Sequence, residues 1–138
     1  MSLPIILKTI EYKAWQAPNY PCPRVLLPIV IKMFKDRLDR GVLEYSEGLY
    51  RNAWFLVKKK KPGEYRLINS ATLLNAVTRR DANIPLSVDE FAEEFAGYYI
   101  ASLVDLYSGY NQMQLYLSSR DITVFFTPLS LLRNTTLP

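Results

Sequence analysis

Two short apolar runs, Trp54-Phe55-Leu56-Val57 and Tyr65-Arg66-Leu67-Ile68, flank the connection Lys58-Lys59-Lys60-Lys61-Pro62-Gly63-Glu64, which obliges the chain to turn back on itself. Proline and then glycine at the two central positions of a tight turn suit type II geometry. Proline presets the first φ, and glycine takes the positive φ of the second without a steric penalty. The expected product is an antiparallel hairpin with a lysine-rich tip.

The segments around the hairpin read differently. Pro4, Pro18, Pro21 and Pro23 lie among Tyr12, Trp15 and Tyr20. Proline removes a backbone donor and blocks helix interiors, so residues 1–27 are expected to be an extended arm held by aromatic contacts. From Pro28 the period becomes helical: Ile29, Val30, Met33, Phe34 and Leu38 share one face, and Lys32, Lys35, Asp36, Asp39 and Arg40 share the other. Pro28 suits the first turn of this helix and Gly41 its C-terminal cap. Ser87 and Glu90 have the spacing of a capping box, which predicts a second helix with Val88, Phe91 and Phe95 as a buried stripe and Gly97 at its end.

Downstream, Ile100-Ala101-Ser102-Leu103-Val104 has the length and composition of a buried central strand that would deliver Asp105 to a cleft before the Ser108-Gly109 turn. Residues 110–117 fit a strand or a short helix. Ile122-Thr123-Val124-Phe125-Phe126-Thr127 is β-branched and aromatic, which predicts a strand ended by Pro128.

With 138 residues, 49% of them hydrophobic, the chain suffices for one core, so residues 28–138 are expected to form a single unit behind the arm. A net charge of +4 permits a polyanionic partner without requiring one. Histidine is absent and Cys22 is the only cysteine, which excludes an internal disulfide, a His- or Cys-based zinc site and any histidine-dependent hydrolytic triad. Leu3-Pro4-Ile5-Ile6-Leu7 is too short and too Pro-broken for a signal-peptide core, and no run approaches the roughly 20 apolar residues of a membrane span. The expectation is a chain without a membrane partner, intracellular and cytoplasmic by default.

Carboxylate, lysine, arginine and tyrosine remain for chemistry. Lys58, Lys59, Lys60 and Lys61 with Arg66 would suit a triphosphate or a nucleic-acid backbone, although a lysine run also serves simply as a solvated turn. Asp105 is a single carboxylate, whereas two-metal phosphoryl transfer needs at least two; a strand-end Asp also serves as a turn residue. Tyr110 could stack beneath a sugar ring or fill a core.

The order of these motifs carries a resemblance. Gly41-Val42-Leu43-Glu44-Tyr45-Ser46 is followed by Tyr50-Arg51-Asn52-Ala53-Trp54-Phe55-Leu56-Val57-Lys58-Lys59-Lys60, then Tyr65-Arg66-Leu67-Ile68-Asn69 and Leu74-Asn75-Ala76-Val77-Thr78. Arg80-Asp81-Ala82-Asn83-Ile84-Pro85, Val104-Asp105-Leu106-Tyr107-Ser108-Gly109-Tyr110-Asn111-Gln112 and Phe126-Thr127-Pro128-Leu129 complete the series. Over roughly residues 40–138 the chain resembles the reverse transcriptases of Ty3/gypsy-type LTR retrotransposons, in their fingers and the first part of the palm.

The resemblance implies an α+β fold, a partial fingers/palm of a right-hand polymerase with a mixed or antiparallel sheet and packed helices. It implies RNA-directed DNA polymerisation, with RNA or DNA template-primer and dNTP as partners and magnesium ions (Mg2+) as cofactor. Asp105 would be the first catalytic carboxylate and metal ligand. Lys59 and Arg66 would clamp the triphosphate near the backbone of Leu106, Tyr107, Ser108, Gly109 and Tyr110. Tyr110 would be the gate beneath the sugar, and Lys58, Lys60 and Lys61 would meet nucleic acid.

The chain departs from the family pattern in three places. Asn69-Ser70-Ala71-Thr72 replaces a stretch that in many members carries a basic and an acidic side chain, and Ser130 stands where glycine is common, a strain if that turn needs positive φ. No Asp-Asp pair occurs, so a truncated palm with an exposed, association-prone sheet edge and no activity on its own is expected. A non-catalytic nucleic-acid-binding module or a decayed retrotransposon relic are the alternatives.

Overall fold

Pro28 lies in the first turn of α1 (Leu27–Asp39), where its missing N–H leaves no intrahelical bond unmade. The computed structural model describes residues 3–138. Helix α1 closes as a Schellman motif: Gly41 takes φ 71°, its N–H donates to the Leu38 carbonyl at 2.9 Å, and the Val42 N–H reaches the Arg37 carbonyl at 3.0 Å. Val30 and Phe34 are fully buried, and Met33 and Leu38 pack beside them. The apolar stripe predicted from spacing is therefore the inner face, with Ile29 at its exposed margin.

Helix α1 is covered by strands β1 (Leu43–Tyr45), β2 (Trp54–Lys58), β3 (Tyr65–Asn69), β4 (Phe125–Phe126) and β5 (Leu131–Asn134), which contribute Leu43, Trp54, Leu67, Phe125 and Leu132 to one core. The Phe34 ring meets Trp54 edge-on at 5.3 Å and lies 5.8 Å from Phe125. β1, β5 and β4 form one antiparallel sheet in that order, and β2 and β3 form a separate antiparallel hairpin. The architecture is α+β, as expected, and its named sheets are antiparallel.

Asn52 ties the two sheets together. Its amide Nδ2 donates to the carbonyls of Ile122 and Val124, both at 2.9 Å, and its Oδ1 accepts from Trp15 Nε1 at 2.9 Å. The arm runs extended across this joint. Isolated bridges pair Ile5 with Leu115, Thr9 with Thr78 and Gln16 with Arg51, while Tyr12, Trp15 and Tyr50 cluster with ring separations of 5.3–6.2 Å. A short helix, α2 (Thr72–Val77), follows β3 and buries Leu74.

Beyond it the structure departs from expectation. Every residue from 79 to 108 is exposed. Helix α3 (Val88–Phe95) forms with the full reciprocal capping box of Ser87 and Glu90, yet none of its residues is buried, and Phe91 is 55% exposed. The stripe is present; the surface it would pack on is not. The strand expected over residues 100–104 does not form either: Leu103 is 98% and Val104 82% exposed. A strand exists only when a neighbour takes its N–H and C=O groups, and none of the described residues pairs with this run.

Between residues 121 and 127 the single predicted strand becomes a 3₁₀ turn (Asp121–Thr123) and the two-residue β4. The Thr123 hydroxyl donates to the Arg120 carbonyl at 2.6 Å and accepts the Asn134 N–H at 2.9 Å, a local bond that competes with the ladder. Residues 110–117 are neither a full strand nor a helix but a 3₁₀ turn (Gly109–Gln112) followed by bridges at Gln114 and Leu115. Ser130 has no positive φ, and the Thr127 hydroxyl accepts the N–H groups of Leu129 and Ser130, so the expected strain is absent.

Candidate nucleic-acid interface

The hairpin register sets Val57 opposite Arg66 and Lys58 opposite Tyr65. Gly63 takes φ 78° and the Glu64 N–H donates to the Lys61 carbonyl at 3.3 Å, so Pro62 and Gly63 occupy the two centres of a type II turn. This turn gathers Lys58, Lys59, Lys60, Lys61 and Arg66 around an open cleft of about 440 Å³. Glu64 approaches Lys59 Nζ at 3.5 Å and Lys61 Nζ at 3.2 Å. Exposed pairs of this kind are worth about 0–1 kcal/mol, so a phosphate group can displace them. Lys58, Lys60 and Arg66 make no ion pair among the described residues.

The other half of the expected site does not line this cleft. Asp105, Leu106, Tyr107, Ser108 and Tyr110 sit on the exposed segment, and neither Asp105 nor Tyr110 lines the hairpin cleft. The turn below Asp105 is held internally: Ser108 takes φ 49°, the Asn111 N–H donates to its carbonyl at 3.0 Å, and Gln112 Nε2 donates to the Tyr107 carbonyl at 2.7 Å. Gly109 begins the 3₁₀ turn, which leaves Tyr110 71% exposed. Among the described residues no three His, Cys, Asp or Glu side chains converge as a metal would require.

One charged cluster escaped the sequence. Glu44 accepts from Arg133 Nε at 2.7 Å and from Arg120 Nη1 at 3.2 Å, and Arg133 also bonds Asp121. Burial works against the Arg133 charge, but the hydrogen bonds to Asp121 and Glu44 more than offset it and hold its pKa above the ordinary value. Arg120 and Arg133 lie 76 and 89 positions from Glu44, and no local pattern links groups that far apart. The cluster staples β1 to β5 and offers no reacting group.

No protein-family profile matches the chain. The "Enzymatic polyprotein" of Cauliflower mosaic virus (strain D/H) is 32% identical over 100 residues, which cover 70% of this chain and 15% of that protein. Among solved structures, the Prototype Foamy Virus protease-reverse transcriptase (CSH mutant) matches 98% of this chain and 18% of its own, with a TM-score of 0.84 at 19% identity. The foamy viral protease-reverse transcriptase in complex with dsDNA matches 100% of this chain and 29% of its own, with a TM-score of 0.81 at 18% identity. The same enzyme has been solved with an RNA/DNA hybrid, and that structure has a TM-score of 0.76 to this chain. The chain therefore spans a minor part of each protein it matches, and its fold is that of a partial reverse transcriptase. Among the described residues no helix is long and apolar enough to cross a membrane.

Proposed function

We propose that this chain is the fingers and first palm segment of an RNA-directed DNA polymerase of Ty3/gypsy type, which holds a template-primer and an incoming dNTP. What carries the proposal is the lysine hairpin, five cations around one open cleft on a reverse-transcriptase fold. Phosphoryl transfer spreads negative charge over the transferred group, and fixed cations that meet it are the protein's main contribution. Lys59 and Arg66 bind the triphosphate by charge-assisted hydrogen bonds, and Lys58, Lys60 and Lys61 meet the template backbone. Tyr110 lies beneath the sugar and excludes a 2′-OH, the group that distinguishes a ribonucleotide. The backbone of Leu106, Tyr107, Ser108 and Gly109 lines the triphosphate.

Asp105 supplies one carboxylate. The described residues do not complete a magnesium site around it, so no catalytic step is assigned through the ion. A binding module without catalysis is the second reading, favoured by the exposed position of Asp105 outside the hairpin cleft.

Equilibrium binding of a labelled primer-template is the first test. Affinity should fall with salt and fall further when Lys58, Lys59, Lys60 and Lys61 are changed to alanine; unchanged affinity overturns the role of the hairpin. Magnesium-dependent primer extension by any longer polypeptide containing this sequence tests the catalytic half. Extension that survives Asp105→Asn overturns the assignment of Asp105.

A further inference from the structure

A second cationic site lies where the N-terminal arm crosses the chain after α2. The Arg79 N–H donates to the Lys8 carbonyl at 2.8 Å and the Ile10 N–H donates to the Val77 carbonyl at 2.9 Å, which closes the Thr9–Thr78 bridge. The arm is fixed on its other side too, since the Leu7 N–H donates to Ser119 Oγ at 3.0 Å. Lys8 is thus held against Arg79 and Arg80 by backbone bonds that do not involve the three cationic side chains. Together they line a cleft of about 450 Å³.

One carboxylate, that of Asp81, lines the same cleft. Asp81 Oδ1 accepts the Asn83 N–H at 3.1 Å and Oδ2 accepts Asn83 Nδ2 at 3.0 Å, so both oxygens are engaged within their own turn. Among the described residues Lys8, Arg79 and Arg80 form no ion pair. Three unpaired cations on a braced backbone outnumber the one carboxylate of the cleft, and the excess positive charge matches the backbone of a polyanion. The site is distinct from the hairpin tip, because the two clefts share no lining residue.

We propose that Lys8, Arg79 and Arg80 form a second phosphodiester-binding site that grips a nucleic-acid strand independently of the lysine hairpin. It rests on the nucleic-acid reading above. Salt dependence counts such contacts, because each phosphate neutralised on a single strand contributes about 0.7 to the slope of log affinity against log salt.

The test uses the full chain and a fluorescent oligo-deoxythymidine of about 20 nucleotides, titrated by anisotropy at several salt concentrations without magnesium or nucleotide. Lys8→Ala/Arg79→Ala/Arg80→Ala should weaken binding at least about tenfold and reduce the slope by about 2, whereas Arg79→Lys/Arg80→Lys should keep the slope. A triple variant that retains the native far-UV spectrum and the unaltered slope overturns the site. Lys58→Ala/Lys60→Ala/Arg66→Ala is measured in parallel. Loss of binding there with an unaltered slope in the arm variant overturns the second site alone, and retained binding there overturns the hairpin reading alone.

Discussion

The hairpin β2–β3 and residues 98–110 have the same kind of sequence, an apolar run of strand length that ends in charge and a turn, and they reach opposite states. Trp54-Phe55-Leu56-Val57 finds Tyr65-Arg66-Leu67-Ile68 a few residues away, so the two runs pair in antiparallel register and Trp54 and Leu67 enter the core. Ile100-Ala101-Ser102-Leu103-Val104 has comparable apolar content and no partner among the described residues, and it stays exposed. Apolar composition proposes a strand; a neighbour makes one. Charge divides the molecule along the same line. Residues 81–119 carry Asp81, Asp89, Glu90, Glu93, Glu94 and Asp105 and no lysine or arginine, so the cations proposed to meet phosphate lie on the hairpin, on the arm and at the very start of the exposed segment.

The largest effect that could break this comparison is a pair of phenylalanine truncations. Phe34→Ala removes a fully buried ring between Trp54 and Phe125 and should cost about 3–5 kcal/mol in urea unfolding. Phe91→Ala on α3 should stay within about 0.5 kcal/mol, as exposed substitutions do. Similar costs at the two positions would mean that the exposed segment packs after all. Amide exchange separates the halves in the same way, with slow exchange along β2 and β3 and fast exchange over residues 98–106.

Asn52→Ala sharpens the comparison at the joint inside the packed half. The substitution strands the Ile122 carbonyl and the Trp15 indole N–H, while the Val124 carbonyl keeps the Asn52 backbone N–H at 2.8 Å; the cost should be about 2 kcal/mol by thermal or urea unfolding. A cost near zero would show that the two sheets do not depend on this side chain. Gly63→Ala comes next. No atom lies within 4 Å of the Cβ it would add, so only the positive φ of 78° opposes it, at about 1 kcal/mol. The shift should appear in stability and leave the lysine cleft in place.

Local signals were legible wherever the physics was local. The Pro62-Gly63 turn, the Gly41 cap, the Ser87–Glu90 box and the α1 stripe each depend on residues within a few positions of one another, and each is found. The lysine cleft belongs to this class, since the turn that makes it is its own neighbour. What failed depended on distant partners. The stripe of α3 and the run before Asp105 needed a surface to cover them, and sequence cannot say whether one is present. The joining of Lys8 to Arg79 and of Glu44 to Arg133 was hidden for the same reason, because spacing carries no mark of a contact across most of the chain.

The smallest expected effect reports on the arm, whose seating completes the packed half. The Tyr50 hydroxyl donates to the Tyr12 hydroxyl at 3.3 Å, and its pKa is pushed up to about 12, first by that hydrogen bond and then by burial and the nearby charges of Tyr12 and Asp121. A folded-state pKa above the unfolded value of 10.0 means that Tyr50 favours folding while it is protonated. That contribution is fully present below pH 10 and is lost as pH rises through about 12. Phenolate absorbance should therefore show a late-titrating tyrosine in the native chain. Tyr12→Phe removes the leading cause and should move that component down toward the ordinary range, narrowing the window in which alkali destabilises the fold. A late component that persists in Tyr12→Phe would place its origin outside the arm. Its disappearance, with the exposed segment untouched, would show that the arm belongs energetically to the hairpin half of the molecule.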